Sequence, residues 1–465
     1  MEEKKLAEQM KEKLFYNRKN GYERISAETA AEIDKYAEAY KVFLTNSKTE
    51  REAANETVAL LKANGFSEFT HGMTVKPGDK VYRVNRGKSV LAAVIGTKSL
   101  NEGINISAAH IDCPRLDLKQ NPLYEDGEMA YFKTHYYGGI KKYQWVTIPL
   151  ELHGVVALKN GETIEIQIGC EEDDPKFVIT DLLPHLSADQ NKKSLAEGIT
   201  GEGLNILIGS TPYADCDGEK VKLAVMSILN DRYGITEEDF LSAELCAVPA
   251  GPACDVGFDR SLIGGYGHDD RVCSYASLKA LLDAERPGKT AMCVLADKEE
   301  IGSEGVTGMK SRAFETFVED LCAAQNVDIR RCFENSCCLS CDVCNAFDPN
   351  FPEVSDKRNN ALINYGVGIC KYTGSRGKSG SNDANAELVG KMRALFEANE
   401  VIWQMAELGK VHQGGGGTVA MFMAQRNIET IDAGVPVLSM HAPFEVVSKL
   451  DAYMTYRAVL ALYNE

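Results

Sequence analysis

No stretch of this 465-residue chain is apolar for long enough to cross a bilayer, which takes about 20 consecutive residues. The first twenty residues, MEEKKLAEQMKEKLFYNRKN, also lack the apolar core of roughly 7–15 residues that marks a secretory signal. Positive charge is in deficit: 51 Lys and Arg stand against 68 Asp and Glu, a formal net charge of −17. Nucleic acid and anionic membrane are polyanions, so neither is expected as a partner. Internal repeats and low-complexity tracts are missing too. The expectation is a cytoplasmic globular protein. Its 44% hydrophobic and 26% charged content is ordinary for that class, and its length suits one to three domains. Cysteine is not scarce, but the fourteen are diluted through the chain, as at Cys113, Cys170, Cys216, Cys254 and Cys293. Disulfide frameworks belong to small secreted domains, so these read as reduced, mostly buried thiols.

Hydrophobic periodicity divides the chain. Segments 30–43 and 53–61 repeat at helical spacing, and strand-like runs follow at 80–84, 89–95 and 104–109. From 119 to 245 the character changes to short β-like runs, such as 145–152, 163–168 and 204–208, separated by Gly, Asn and Asp. Alternation then resumes: helix over 270–284, strand over 291–296, and helices over 312–324, 384–399 and 445–463. This predicts an α/β fold, a mixed, largely parallel sheet flanked by helices, built from 1–118 and 246–465 and interrupted by a β-rich domain at 119–245. In such folds ligands gather beyond the carboxyl ends of the strands.

Five places put His, Asp or Glu there or at a helix start. His110 ends an apolar run, with Asp112 on the same side by the two-residue period. His268-Asp269-Asp270 opens a helix, where acids are favoured in any case. Asp297-Lys298-Glu299-Glu300 follows the run 291–296, and adjacent glutamates could divide the work of metal ligand and free base. Asp342 stands between apolar neighbours, which is costly unless it is paired. His441 follows another apolar run. Each has a bland reading as cap, solvated loop or core histidine. Together they form an oxygen- and imidazole-rich set that suits paired zinc ions.

The segments SAAHIDCPRLDLK (107–119), YGG (137–139), GHDDR (267–271), DKEEIGSEG (297–305), SCDVCNAFDPNF (340–351), KYTGSRGKSGSNDANAE (371–387) and SMHAPFE (439–445) match in order and spacing. In them the chain resembles the aspartyl aminopeptidases, a co-catalytic zinc aminopeptidase family, over essentially its whole length. One departure stands out: Asp270 makes the motif Asp-Asp-Arg, nearer to the related tetrahedral-particle aminopeptidases than to the family's common Asp-Asn form. The resemblance implies two Zn2+ per subunit, replaceable by Co2+ or Mn2+, with Asp269 bridging them. His110 and Asp342 would complete one site, and Glu300 and His441 the other. Glu299 would act as general base on the bridging water, and Asp112 would orient His110. The implied activity is removal of N-terminal residues, chiefly Asp or Glu, from peptides. The implied assembly is a homo-oligomer, a dodecamer built from dimers through the β-rich insertion.

Secondary features remain open. In the family a basic residue near Lys371, Arg376 or Lys378 meets the substrate's acidic side chain, and a histidine from the region of His185 reaches a neighbouring subunit's site. The run Gly414–Gly417, including Gly416, lacks the Lys-Ser/Thr ending of a phosphate loop and reads as close backbone approach to substrate or metal. Cys337, Cys338, Cys341 and Cys344 have metal-like spacing but read first as buried thiols, with an extra metal or oxidation sensitivity as alternatives. Alternative activities are an aminopeptidase of broad or neutral specificity, an amidohydrolase or deacetylase of acylated amino acids, and a carboxypeptidase. The non-enzymatic alternative is a self-assembling shell with a vestigial site.

Overall fold

The structure, a computed structural model, describes residues 6–465. The expectation of a leaderless N-terminus falls partly on residues 1–5, outside those described. Among the described residues no helix is long and apolar enough to cross a membrane.

A nine-stranded sheet organises the chain. Its centre is four adjacent parallel strands, Thr290–Ala296, Ile104–His110, Cys337–Ser340 and Glu429–Gly434. The first three are fully buried, and their near-continuous apolar sequence is what a strand covered on both faces requires. The helices Ala27–Asn46, Glu50–Ala63, His268–Asp283 and Lys449–Tyr463 pack on one face. Ala313–Ala324 and Ala420–Ala424 cover the other. Local chemistry sets the helix starts: Ser26 accepts the N–H of Thr29, and Thr49 with Glu52 forms a reciprocal capping box.

A second sheet of six antiparallel strands opens at Arg115 and closes at Pro249. It has its own core, which includes the fully buried Trp145. The apolar run 145–152 is not one strand. Thr147 sits at φ +62° and Pro149 has no N–H to donate, so the strand is Leu150–Ala157. The run 204–208 pairs only from Ile206, as the strand Ile206–Gly209. The same region holds a 14-residue helix, Lys220–Tyr233, closed by left-handed Gly234. A third, five-stranded sheet carries Pro436–Leu438 and Glu445–Ser448. The segment 445–463 is therefore strand first and helix second. Ser448 makes the switch, its hydroxyl accepting from the N–H groups of Leu450 and Asp451.

Among the described residues all fourteen cysteines are free thiols, and only Cys170 and Cys254 are exposed. The run from Cys337 to Cys344 does not converge on one point: Cys337 and Cys341 pack on one face of the large sheet, Cys338 on the other, and Cys344 beside Cys370. That divergence follows from the strand's alternation and suits buried thiols.

Candidate metal centre

Three adjacent parallel strands deliver acidic or imidazole groups at their carboxyl edge. His110 ends one strand, Asp297 to Glu300 follow a second, and Asp342 follows the third. Asp269 enters from the start of the helix His268–Asp283, across a cis peptide bond to Asp270. His441 follows Pro436–Leu438. Asp269 holds the middle: its Oδ1 lies 3.2 Å from His110 Nε2 and its Oδ2 3.1 Å from His441 Nε2. Asp342 Oδ1 is 3.9 Å from His110 Nε2, and Glu300 Oε1 is 3.4 Å from His441 Nε2. Two donor triads result, His110–Asp269–Asp342 and Asp269–Glu300–His441, each with its ligand atoms within 4.8 Å of one another.

The imidazoles are oriented from behind. His110 Nδ1 faces the carbonyl of Asp112 at 2.9 Å and its carboxylate at 3.3 Å. His441 Nδ1 faces the carbonyl of Gly139 at 2.8 Å. Both Nε2 atoms are thereby turned toward Asp269. Asp112 is itself held by the backbone N–H groups of Glu299 and Glu300, at 3.1 and 3.2 Å, and by the hydroxyl of Tyr137 at 2.7 Å. Tyr137 and Gly139 thus tie the second sheet to both triads, a use of the YGG segment that its sequence does not announce. Glu445 is a further member that sequence reasoning missed, although it ends the quoted segment SMHAPFE. One of its oxygens accepts the N–H of His441 at 2.7 Å and the other that of Asp269 at 3.1 Å.

The electrostatics point to cations. Burial pushes Glu300 and Asp342 well above the usual carboxylate range, with Asp269 and Asp270 respectively adding to the effect. Glu299 rises to about 7 by burial, opposed by the imidazoles of His110 and His441 and reinforced by Asp112 and Asp269. Burial alone would lower the two histidines. Asp112 and Asp269 nevertheless hold His110 well above its ordinary range, and Asp269 and Glu300 lift His441 to about 10. Among the described residues no Lys or Arg forms an ion pair with Asp269, Glu299, Glu300 or Asp342, and Glu300 Oε1 is buried without accepting a hydrogen bond. Four carboxylates around two imidazoles form a hard oxygen and nitrogen set that fits divalent zinc.

The centre opens into a cavity of about 480 Å³ lined also by Gly416, Phe422, Met440 and Lys310. Lys371, Arg376 and Lys378 do not line it. Lys371 and Lys378 both bind Asp383, at 2.9 and 3.1 Å, and Arg376 lies on an exposed turn. In the glycine run the close approach is to neighbouring chain. A Cβ on Gly414 would meet the Leu408 carbonyl and one on Gly415 the Gly374 carbonyl, whereas Gly416 faces open space. His185 sits on the exposed turn Pro184–Leu186, apart from the centre of its own chain.

Fold and site together define a zinc metallopeptidase. A family model described as aminopeptidase I zinc metalloprotease (M18) matches residues 43–463. The chain is 48% identical to a probable M18 family aminopeptidase 1 of Clostridium acetobutylicum, over 96% of this chain and 98% of that one. It belongs to the M18 aminopeptidase family. The crystal structure of an M18 aminopeptidase from Thermotoga maritima superposes with a TM-score of 0.93, at 44% identity, over 97% of this chain and 100% of that one. The S. cerevisiae mApe1 dodecamer, 20% identical over 93% of this chain and 96% of that one, has the same fold at a TM-score of 0.76.

Proposed function

We propose that the protein removes single residues from the amino ends of peptides at a two-cation centre. Asp269 is shared, His110 and Asp342 complete one site, and Glu300 and His441 complete the other. The observation that carries this reading is the placement of the two Asp269 oxygens against two separate imidazoles. Paired zinc ions, with Co2+ or Mn2+ as substitutes, supply Lewis acidity toward the scissile carbonyl and lower the pKa of the attacking water. Glu299 ligates neither cation; it takes the proton from the attacking water and passes it to the leaving amine. Asp112 fixes the tautomer of His110. The substrate's free α-amino group is met by a metal or by an acidic side chain of the centre, which keeps cleavage at the chain end.

Resemblance to the aspartyl aminopeptidases favours Asp or Glu at the substrate's N-terminus, with Lys310, which lines the cavity and pairs with Glu304, as a candidate cation to meet it. A broad or neutral specificity is the second reading, favoured by Met421, Phe422 and Met440 in the lining. In this reading 1–118 and 246–465 carry the catalysis and 119–245 serves oligomerisation, a division supported by the separate core of the second sheet, whose strands overrun it on both sides, from Arg115 to Pro249. A dodecamer in the cytoplasm is the expected form. Exposed Leu182, Leu183, Leu186 and Leu195 beside His185, and fourteen unpaired thiols, support it.

Zinc-loaded protein assayed on Asp-, Glu- and Leu-anilides and on N-acetylated peptides tests the reading. Turnover of free-ended substrates only is expected, together with paired loss of metal and activity in His441→Ala. Cleavage of blocked substrates, or full metal content in that variant, would overturn it.

A further inference from the structure

A second cluster of metal-ligating side chains lies in the antiparallel sheet. Glu151 and His153 are two apart on the strand Leu150–Ala157 and so share a face. The neighbouring strand Thr163–Ile168 ends opposite them, with Gln167 paired to His153. Gly169 then takes φ +110°, and a Cβ there would meet Glu151 at 2.9 Å, so the position needs glycine. The chain turns at this glycine and brings Cys170 back to His153. Asp174 holds the turn by accepting the N–H groups of Gly169 and Glu171.

The donor atoms have a recognisable geometry. His153 Nε2 lies 3.2 Å from Glu151 Oε2 and 3.6 Å from Cys170 Sγ, and all three ligand atoms fall within 4.8 Å of one another. Around a tetrahedral zinc with ordinary bond lengths, the nitrogen–oxygen and nitrogen–sulfur edges are about 3.3 and 3.6 Å. The supporting contacts also suit a metal. His153 Nδ1 lies 2.7 Å from Glu52 Oε1, which also accepts from Gln167 at 2.8 Å, so a carboxylate orients the imidazole from behind. Glu151 Oε1 accepts the N–H of Gly251 at 2.8 Å, leaving Oε2 for a ligand. His153 and Glu151 are buried and Cys170 is exposed, which leaves the fourth position open to water. Lys48 stands by, its ammonium donating to the carbonyls of Pro249 and Gly251. The donors themselves, the Glu151 carboxylate and a Cys170 thiolate, carry two negative charges, the complement of a divalent cation.

We propose that Glu151, His153 and Cys170 form a separate site for a thiophilic divalent cation of the zinc type, tying the turn after Ile168 to the strand Leu150–Ala157 of the second sheet. Binding displaces the thiol proton of Cys170 and any proton on His153 Nε2 to solvent, so no oxidant or reductant is required. The donors are neither residues nor neighbours of the centre that performs hydrolysis.

Cobalt(II) tests the site, because a thiolate ligand gives a near-ultraviolet charge-transfer band that a centre of carboxylates and imidazoles cannot give. Metal-free full-length protein titrated with Co2+ should develop this band. Cys170→Ser should abolish it and lower bound metal by one equivalent, while the zinc-loaded variant retains its aminopeptidase turnover. Glu151→Gln should keep the band but shift its titration to higher Co2+, by about 10-fold or more, and serves if the serine variant fails to fold. Absence of the band in the unaltered protein, or its persistence in Cys170→Ser, would overturn the proposal. Either result would leave the hydrolytic reading standing, since that reading is scored on turnover and on His441→Ala.

Discussion

Glu445 holds the backbone N–H of Asp269 at 3.1 Å on one carboxylate oxygen while its other oxygen takes the N–H of His441 at 2.7 Å. A single buried side chain therefore sets the spacing between the residue shared by both triads and one of the flanking imidazoles. In Glu445→Gln one of the two acceptors becomes an amide NH2 that faces an N–H, so one of the two backbone contacts is lost. Loss of such an orienting contact typically costs about 10–100-fold in metal affinity. Zinc affinity measured by competition with a chelator should fall by that much, with the folded circular-dichroism spectrum retained. Unchanged affinity would reduce Glu445 to a strand-end contact.

Glu299 has a different signature. It lines the cavity, and its backbone N–H is anchored on Asp112. Glu299→Gln preserves the shape of the side chain but removes the carboxylate proposed as base. The expected result is unchanged metal content with kcat lowered by about 10²–10⁴-fold. Near-normal turnover would require another base.

The legible part of this protein is the part where burial and chemistry conflict. Asp342 between apolar neighbours and His110 at the end of a buried run stand out in the sequence because an isolated charge there is costly, and the structure brings both to Asp269. The sheet's parallel centre is legible for the same reason: strands covered on both faces are apolar throughout. Tyr137, Gly139 and Glu445 lie in the motifs without a legible role, because their contacts to Asp112, His441 and Asp269 join positions far apart in the chain. The strand Glu445–Ser448 was hidden in a helical reading. It is only four residues long and is defined by its pairing with Leu262–Gly265 on one side and Pro436–Leu438 on the other. The run 145–152 misled because Trp145 is apolar for core packing, not for strand pairing.

Asp255 supplies a pH prediction. Its carboxylate binds Lys41 at 2.7 Å, Arg260 at 2.7 Å and Lys449 at 3.1 Å, joining the helices Ala27–Asn46 and Lys449–Tyr463 to the third sheet. Burial would raise its pKa, but the three cations hold it well below the usual carboxylate range. A depressed folded-state value means that the stabilisation is complete above the unfolded pKa near 4 and is lost as pH falls through the lower folded value. Asp255→Asn leaves Lys449 with Asp34 at 3.7 Å as its ionic partner, a loss of about 1 kcal/mol for this partly solvated cluster. Thermal unfolding should show a lower Tm for the variant at neutral pH, with the gap closing below about pH 4. A gap independent of pH would assign the effect to packing.

Assembly can be tested through the surface of the second sheet. Leu186 is 68% exposed and Leu183 50%, on either side of His185, in a segment that also exposes Leu182 and Leu195. So many large apolar side chains along one short stretch carry an aggregation cost unless a second copy covers them. The turn Pro184–Leu186 is fixed by backbone and side-chain bonds from Ser187 to the Pro184 carbonyl, so it presents these leucines in a defined arrangement. Light scattering should give a mass near twelve copies of the 51.0 kDa chain, about 610 kDa. Leu183→Asp with Leu186→Asp should dissociate the particle while each chain stays folded and keeps its metals. If His185 serves a neighbouring subunit's site, that dissociated form should lose turnover, and His185→Ala should lose turnover in the intact particle. A mass near 51 kDa for the unaltered protein would remove both the dodecamer and the role of His185, leaving the leucines to cover some other partner.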